Sequence, residues 1–214
     1  MIKLENVTKF YNSKGIITHA LKNINLELYK NEFVAICGPS GSGKSTLLNV
    51  ICKQDTFDEG EIYYKGNETA YFNVDDMDDF RKNKVGFIFQ NYNIIESYTV
   101  LQNVMLPYEL KGLPTKEAKK KALAIIDEVG LHDKINNRGA ELSGGQKQRC
   151  VIARALAFEP EILACDEPTG NLDSETGAEI MALIHEIAKD KLVLVVTHNY
   201  EEVEPYATRK LTIV

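Results

Sequence analysis

Residues 38 to 46 read Gly38-Pro39-Ser40-Gly41-Ser42-Gly43-Lys44-Ser45-Thr46, the spacing G-x-x-x-x-G-K-[ST]. Glycines at these places let the backbone turn tightly and bring its N–H groups against a phosphate. A helix starting at Lys44 aims its positive end at the same anion. A helix dipole contributes only about 0.3–1 kcal/mol at an exposed site, so Lys44 and a metal must carry most of the charge of a triphosphate. The pattern assigns Lys44 to the β- and γ-phosphates, the Ser45 hydroxyl to Mg²⁺ and Thr46 to the neighbourhood of the α-phosphate.

Phosphoryl transfer to water also needs an aligned water and an acceptor to orient it. Asp166 and Glu167 follow the apolar run Ile162-Leu163-Ala164-Cys165. Two neighbouring carboxylates that point apart along an extended chain divide the work, Asp166 on the metal and Glu167 on the water. Gln90 follows another apolar run, and its amide can accept from a water or bind the metal while donating elsewhere. His198, after a third such run and Thr197, can donate to a γ-phosphate oxygen and help position the water. A second glycine-rich stretch, Leu142-Ser143-Gly144-Gly145-Gln146, opens a long helical pattern that runs through Ala157. Its serine and free N–H groups make a second anion site, and two glycines there are costly in a helix that needs only a cap. One nucleotide does not need both helix starts.

These residues require a particular set of elements. Phe33–Cys37, Val85–Phe89, Ile162–Cys165 and Leu192–Val196 are apolar enough to be central parallel strands, each followed at once by a candidate site residue. In an open α/β sheet the carboxyl ends of parallel strands form the ligand crevice, so the four segments converge on one γ-phosphate. Residues Ile2 to Glu32 alternate apolar and polar positions and suit antiparallel strands with one wet face, joined by Gly60–Tyr64. Tyr11 falls in a break between two of these strands, as a half-buried turn aromatic or a ligand contact. Asp75 to Asp79 reads as an acidic helix start, and Lys119-Lys120-Lys121 as the solvated face of a helix over Thr115–Gly130. The fold class is α/β: a P-loop core with a mostly parallel sheet, a small antiparallel subdomain and an inserted helical lobe.

With 214 residues the chain can bury one sizeable core, and its net charge of −6 excludes a general nucleic-acid binder. Anionic ligands are therefore held locally. The four cysteines lack metal-like spacing and fit a reducing cytoplasm. No apolar segment reaches the roughly 18–20 residues that span a bilayer, and the amino terminus lacks a signal-peptide core.

In their order along the chain, the P-loop, Gln90, Leu142–Gln146, Asp166-Glu167, Asn171-Leu172-Asp173 and His198 resemble the ATP-binding cassette (ABC) ATPases. The resemblance spans nearly the whole chain. It implies a single ATPase domain over 1–214, with 1–90 and 140–214 as the nucleotide-binding core and 91–139 as the helical lobe. It implies ATP and Mg²⁺ as ligands, and a head-to-tail dimer in which Ser143, Gly144, Gly145 and Gln146 of one copy close over ATP on the other copy's P-loop. Asp173 would lie at the dimer seam, and Tyr11 matches the aromatic that stacks on adenine.

The partner implied is a transmembrane permease, separate or fused, which would place the cassette in the cytoplasm at the inner face of the membrane. The apolar stretch Tyr92–Leu106 would serve partly as its docking surface and partly as lobe core. The segments Phe89–Asn93, Asn103–Pro107 and Glu167–Asp173 are most similar to the subgroup with lipoprotein-releasing, macrolide-exporting, bacitracin-resistance and cell-division cassettes. The strand-like end Lys210–Val214 stops short of the turn and further chain usual in the family, which implies a piece of a longer polypeptide. A soluble ABC protein acting on another macromolecule would carry basic or coiled-coil insertions for which this chain has no room. A P-loop kinase would have no use for Leu142–Gln146.

Overall fold

Apolar runs pair with apolar runs and alternating segments with alternating segments in the computed structural model, which describes residues 1–13 and 15–213. In chain order the strands are Ile2–Ser13 (β1), Ile16–Leu28 (β2), Phe33–Cys37 (β3), Glu59–Tyr64 (β4), Asn67–Glu68 (β5), Val85–Phe89 (β6), Ile162–Asp166 (β7), Leu192–Thr197 (β8) and Arg209–Thr212 (β9). The α-helices are Lys44–Ile51 (α1), Val74–Lys84 (α2), Val100–Leu110 (α3), Thr115–Glu128 (α4), Gly144–Leu156 (α5) and Ser174–Ile187 (α6). The expected strand at Lys210–Val214 is present as β9, and Val214 itself lies outside the described residues.

Five strands form one sheet in the order β6-β7-β8-β3-β9, and β1, β2, β4 and β5 form a second, antiparallel one in the order β2-β1-β4-β5. All pairings in the five-stranded sheet are parallel, and their register is level: Phe89 faces Asp166, Asp166 faces Val196, and Cys37 faces Thr197. Four strands thus end within about one residue of each other on one edge, the place where an open α/β sheet binds ligands. Both faces of this sheet are covered, which is why β3 is buried at every position. Val34, Ile36, Leu194 and Val196 pack with α1, Phe80 of α2 and the antiparallel sheet. Ala35, Cys37, Leu163 and Val195 pack with residues of α3 to α6.

Helix starts follow local chemistry. Asn73 caps α2 in a reciprocal box with Asp76, Thr99 caps α3 with Gln102, and Ser143 caps α5 with Gln146. The acidic run Asp75–Asp79 therefore does what its charge suits at a helix start. Lys119 and Lys120 are exposed, and Lys121 pairs with Glu159 at 3.1 Å. In the stretch Tyr92–Leu106, read as docking surface or lobe core, Val100, Val104 and Met105 are buried, Ile94, Leu101 and Leu106 are half-buried and Tyr98 is exposed. The buried set is core, and the surface left to meet a partner comes from the half-buried and exposed residues.

At the opposite edge of the parallel sheet, Glu161 just before β7 accepts from Lys84 at 2.8 Å and pairs with Lys65 at 2.5 Å. Burial opposes its charge, but the hydrogen bonds from the two lysines outweigh that and carry its pKa from 4.5 down to about 2. A carboxyl whose folded pKa is depressed stabilises the fold above its unfolded value and loses that contribution as the pH falls toward the folded one. Glu161→Gln should therefore lower the melting temperature at pH 7, by about 2–4 °C for a partly exposed pair in a chain of this size. The gap from the native chain should narrow as the pH drops below 4.5. Melts at pH 7 and near pH 3 check this, and a gap of equal size at both would show that the charge is not the cause.

Candidate functional site

The glycine-rich loop bridges β3 and α1, and its conformation depends on particular glycines. Gly43 has φ +97°, and a side chain there would meet the Ala20 carbonyl oxygen of β2 at 2.2 Å; Gly38 has φ +155° and meets the Ile213 carbonyl at 2.3 Å. The Lys44 ammonium donates to the carbonyls of Gly38 at 3.0 Å and Pro39 at 2.7 Å, so it lies across the loop. Ser42 Oγ is buried without a hydrogen-bond partner.

A cavity of about 520 Å³ opens over this loop, within the range of small-molecule sites. Ser40, Gly41, Gly43, Lys44, Ser45 and Thr46 form its floor, Tyr11, Thr18, His19 and Ala20 one wall, and Glu167 and His198 the other. Tyr11 is not in a break between strands. It lies within β1, paired with Thr18 of β2, because the β1–β2 ladder runs on to Ser13 and Ile16. It is 44% exposed and its hydroxyl donates to Asp55 at 2.6 Å.

Ser45 Oγ donates to Asp166 Oδ1 at 3.1 Å, joining the helix start to the end of β7. Burial, with a smaller push from the adjacent Glu167 charge, raises the Asp166 carboxyl above its ordinary pKa. A cation beside it would therefore be favoured. Among the described residues no group of three His, Cys, Asp or Glu side chains could hold a metal alone. A hydroxyl and a carboxylate are the sparse hard-oxygen set that suits Mg²⁺ when phosphate oxygens and waters complete the shell.

Glu167 does not continue an extended chain, as its sequence position suggests. Its φ is +47°, and its N–H donates to the Val196 carbonyl of β8 at 3.0 Å. The turn separates its carboxylate from that of Asp166 and sets Oε2 3.2 Å from His198 Nδ1. His198 is 66% exposed and Glu167 24% exposed, so the pair has one wet and one sheltered member. Gln90 does not line the cavity. Its side chain lies over Gly170, where an added Cβ would meet Gln90 Nε2 at 2.9 Å and Glu167 Oε2 at 3.4 Å. Gln90 is thus beside the carboxylate rather than over the phosphate loop, and Asn171 Nδ2 donates to its backbone carbonyl at 2.8 Å.

Ser143, Gly144, Gly145, Gln146 and Asp173 do not line this cavity either. Asp173 caps α6, and the Thr176 N–H and hydroxyl hold its carboxyl below the ordinary value. The glycine pair has a reason within the chain as well as toward a ligand: a Cβ on Gly145 would meet Thr176 Cγ2 at 2.6 Å, and one on Gly144 would meet the Tyr92 hydroxyl at 3.0 Å.

Several contributors carry no motif. Thr18, His19 and Ala20 reach the cavity through strand register, which alternation alone does not align with a loop. Glu202 accepts from Thr169 Oγ1 at 2.7 Å and from Asn199 Nδ2 at 2.9 Å, tying together the turns that follow Glu167 and His198. Buried Gln148 of α5 donates to the Pro168 carbonyl at 2.7 Å and anchors the same turn.

Comparison with known proteins agrees with this architecture. A family model described as ABC transporter matches residues 21–170. An uncharacterized ABC transporter ATP-binding protein of Methanocaldococcus jannaschii is 43% identical over 209 residues, 98% of this chain and 93% of that relative. The macrolide export ATP-binding/permease protein MacB of Campylobacter fetus is 42% identical over 214 residues, 100% of this chain but 33% of MacB. Among solved structures, a dimeric structure of the ABC transporter cassette MJ0796, also from Methanocaldococcus jannaschii, superposes with a TM-score of 0.89 at 43% identity, covering 100% of this chain and 94% of that one. A second dimeric structure of the same cassette is a post-hydrolysis state bound to ADP and Pi, again with a TM-score of 0.89, at 42% identity and the same coverage. The chain belongs to the ABC transporter family and has the fold of its ATP-binding cassette.

Proposed function

We propose that this chain hydrolyses ATP to ADP and phosphate, that it does so as a dimer of cassettes, and that the cycle drives a membrane permease. The observation that carries the reading is the Glu167–His198 pair at 3.2 Å on the wall of the cavity over the glycine-rich loop. Lys44 and the N–H groups of Gly41, Ser42 and Gly43 hold the triphosphate, and Tyr11 contacts the base. Ser45 and Asp166 would hold Mg²⁺, whose charge would offset that of the phosphates, and Gln90, which lies beside Gly170 and Glu167, would reach the ion or the attacking water from that side. Glu167 accepts a hydrogen bond from the attacking water and takes its proton as the water oxygen bonds to the γ-phosphorus and the bond to ADP breaks. His198 orients Glu167 and donates toward the γ-phosphate. General-base assistance of this kind is worth about 10²–10⁴-fold.

Ser143, Gly144, Gly145 and Gln146 have no part in the cavity of their own chain, which supports a role toward ATP on a second copy, with Asp173 at the seam. The dimeric structures of the relative MJ0796 support the same assembly. MacB relatives named as ATP-binding/permease proteins support a transmembrane partner rather than a nucleic acid, and so a peripheral place at the cytoplasmic face of a membrane. No helix among the described residues is long and apolar enough to cross a membrane. We further read 1–214 as one cassette, with 1–90 and 140–214 as core and 91–139 as helical lobe.

Phosphate release measured per molecule over a wide dilution series tests the central claim. Specific activity should fall steeply as the concentration drops below that needed for pairing, and constant specific activity would show that one copy suffices.

A further inference from the structure

The Tyr11 ring is held by more than its own strand. Its hydroxyl donates to Asp55 Oδ2 at 2.6 Å. Lys9 Nζ lies 5.1 Å from the centre of the ring, 3.3 Å from Asp55 Oδ1, 3.9 Å from Asp58 Oδ2 and 3.4 Å from Thr56 Oγ1. The Lys9 side chain is 8% exposed, deep for a lysine, and the two carboxylates offset the loss of its hydration. Asp58 also accepts the Phe10 N–H at 2.8 Å, and its own N–H donates to the Thr8 carbonyl at 2.9 Å.

The short segment after α1 therefore grips β1 along Thr8–Tyr11. Because α1 begins with Lys44, Ser45 and Thr46, one helix sets the distance between the phosphate floor and the aromatic wall. Burial works against the Asp55 charge, but the hydrogen bonds from Tyr11, the Thr56 N–H and Lys9 outweigh it and hold the carboxyl below its ordinary value. The bond to Asp55 is also the main reason the Tyr11 hydroxyl is raised. Donor and acceptor thus keep their roles at neutral pH.

We propose that Lys9 and Asp55 are positioning residues for nucleobase recognition, fixing the Tyr11 ring at the cavity wall before the ligand arrives. This rests on the reading of Tyr11 as the base contact. A half-exposed tyrosine near the end of its strand would otherwise lose rotational freedom on binding, a cost that preorganisation removes. The clamp acts on the base end of a nucleotide and leaves the phosphate end alone.

Calorimetric titration of the intact chain with ATP and with inorganic tripolyphosphate, which carries the phosphates without a base, separates the two ends. Tyr11→Ala should weaken ATP about tenfold and leave tripolyphosphate within about twofold. If ATP binds Tyr11→Ala as it binds the native chain, the base-contact reading falls, and the clamp with it. Where that loss is seen, Tyr11→Phe and Asp55→Ala should each weaken ATP about three- to tenfold without moving tripolyphosphate. The double variant should bind no more weakly than either alone, because both remove the same bond. Asp55→Asn, which keeps an acceptor oxygen, should recover most of the ATP affinity. Additive losses, equal losses for both ligands, or no loss in Tyr11→Phe would each overturn the clamp while leaving Tyr11 as the base contact.

Discussion

Glu167→Gln should bind ATP as the native chain does and release phosphate about 10²–10⁴-fold more slowly. Glutamine has nearly the shape of glutamate and keeps one acceptor oxygen, so the turn at φ +47° and the contact with His198 can persist. It cannot take a proton from water. The loss should therefore appear in kcat with the KM for ATP little changed, the pattern of an interaction made in the transition state. A stalled chemical step also prolongs the ATP-bound state, so the variant should elute as a dimer with ATP under conditions where the native chain has returned to monomer. Single-turnover phosphate release together with size-exclusion chromatography measures both effects. Turnover at the native rate would take the role of base from Glu167, leaving His198, 3.2 Å away, as the adjacent titratable group.

The second large effect is expected at Ser143. Replacement by arginine places a long cation where the proposed dimer brings a helix start against the partner copy's phosphates, and hydrolysis should fall to background. The same change removes the cap of α5, in which Ser143 Oγ accepts from the Gln146 N–H at 3.4 Å and the Ser143 N–H donates to Gln146 Oε1 at 3.0 Å. Loss of such a cap costs about 1 kcal/mol, or about 2–4 °C in melting temperature for a chain of this size, so a general loss of fold must be separated from loss of the site. Ser143→Asp separates them, because aspartate caps a helix as well as serine does but sets a negative charge against phosphate. Its melting temperature should match the native chain while its hydrolysis is as low as that of the arginine variant. ATP binding by the dilute, unpaired chain should stay within about twofold for both, since Ser143 does not line its own cavity. Full activity in Ser143→Asp would remove this helix start from the reaction.

Much of the architecture was legible in the residues. The four apolar runs could only be buried on both faces, and with β9 they form the parallel sheet, β7 and β8 each running one residue further than expected, to Asp166 and Thr197. The spacing of Lys44 and Ser45 after Gly43 placed α1 correctly, because a loop of that composition can hardly end any other way. What the residues could not convey was geometry set by distant backbone. Glu167 looks extended by position, yet the hydrogen bond from its N–H to Val196 turns it into the left-handed region. Tyr11 looks like a turn residue, but the β1–β2 ladder runs on past it. Thr18, His19 and Glu202 belong to no motif, and their place near the site comes from strand register and a short 3-10 turn that no periodicity signals.

The closeness of Gly145 to Thr176 has an effect on motion. With no side chain on Gly145, the start of α5 packs close against Thr176 in the first turn of α6, and Arg149 bridges the two helices farther along through Glu179 at 3.0 Å. A tilt of either end would press on the other. In the dimer proposed above, a displacement of the Ser143 end would be passed on toward Asp173, so each half would sense its neighbour's fuel state through two abutting helix starts.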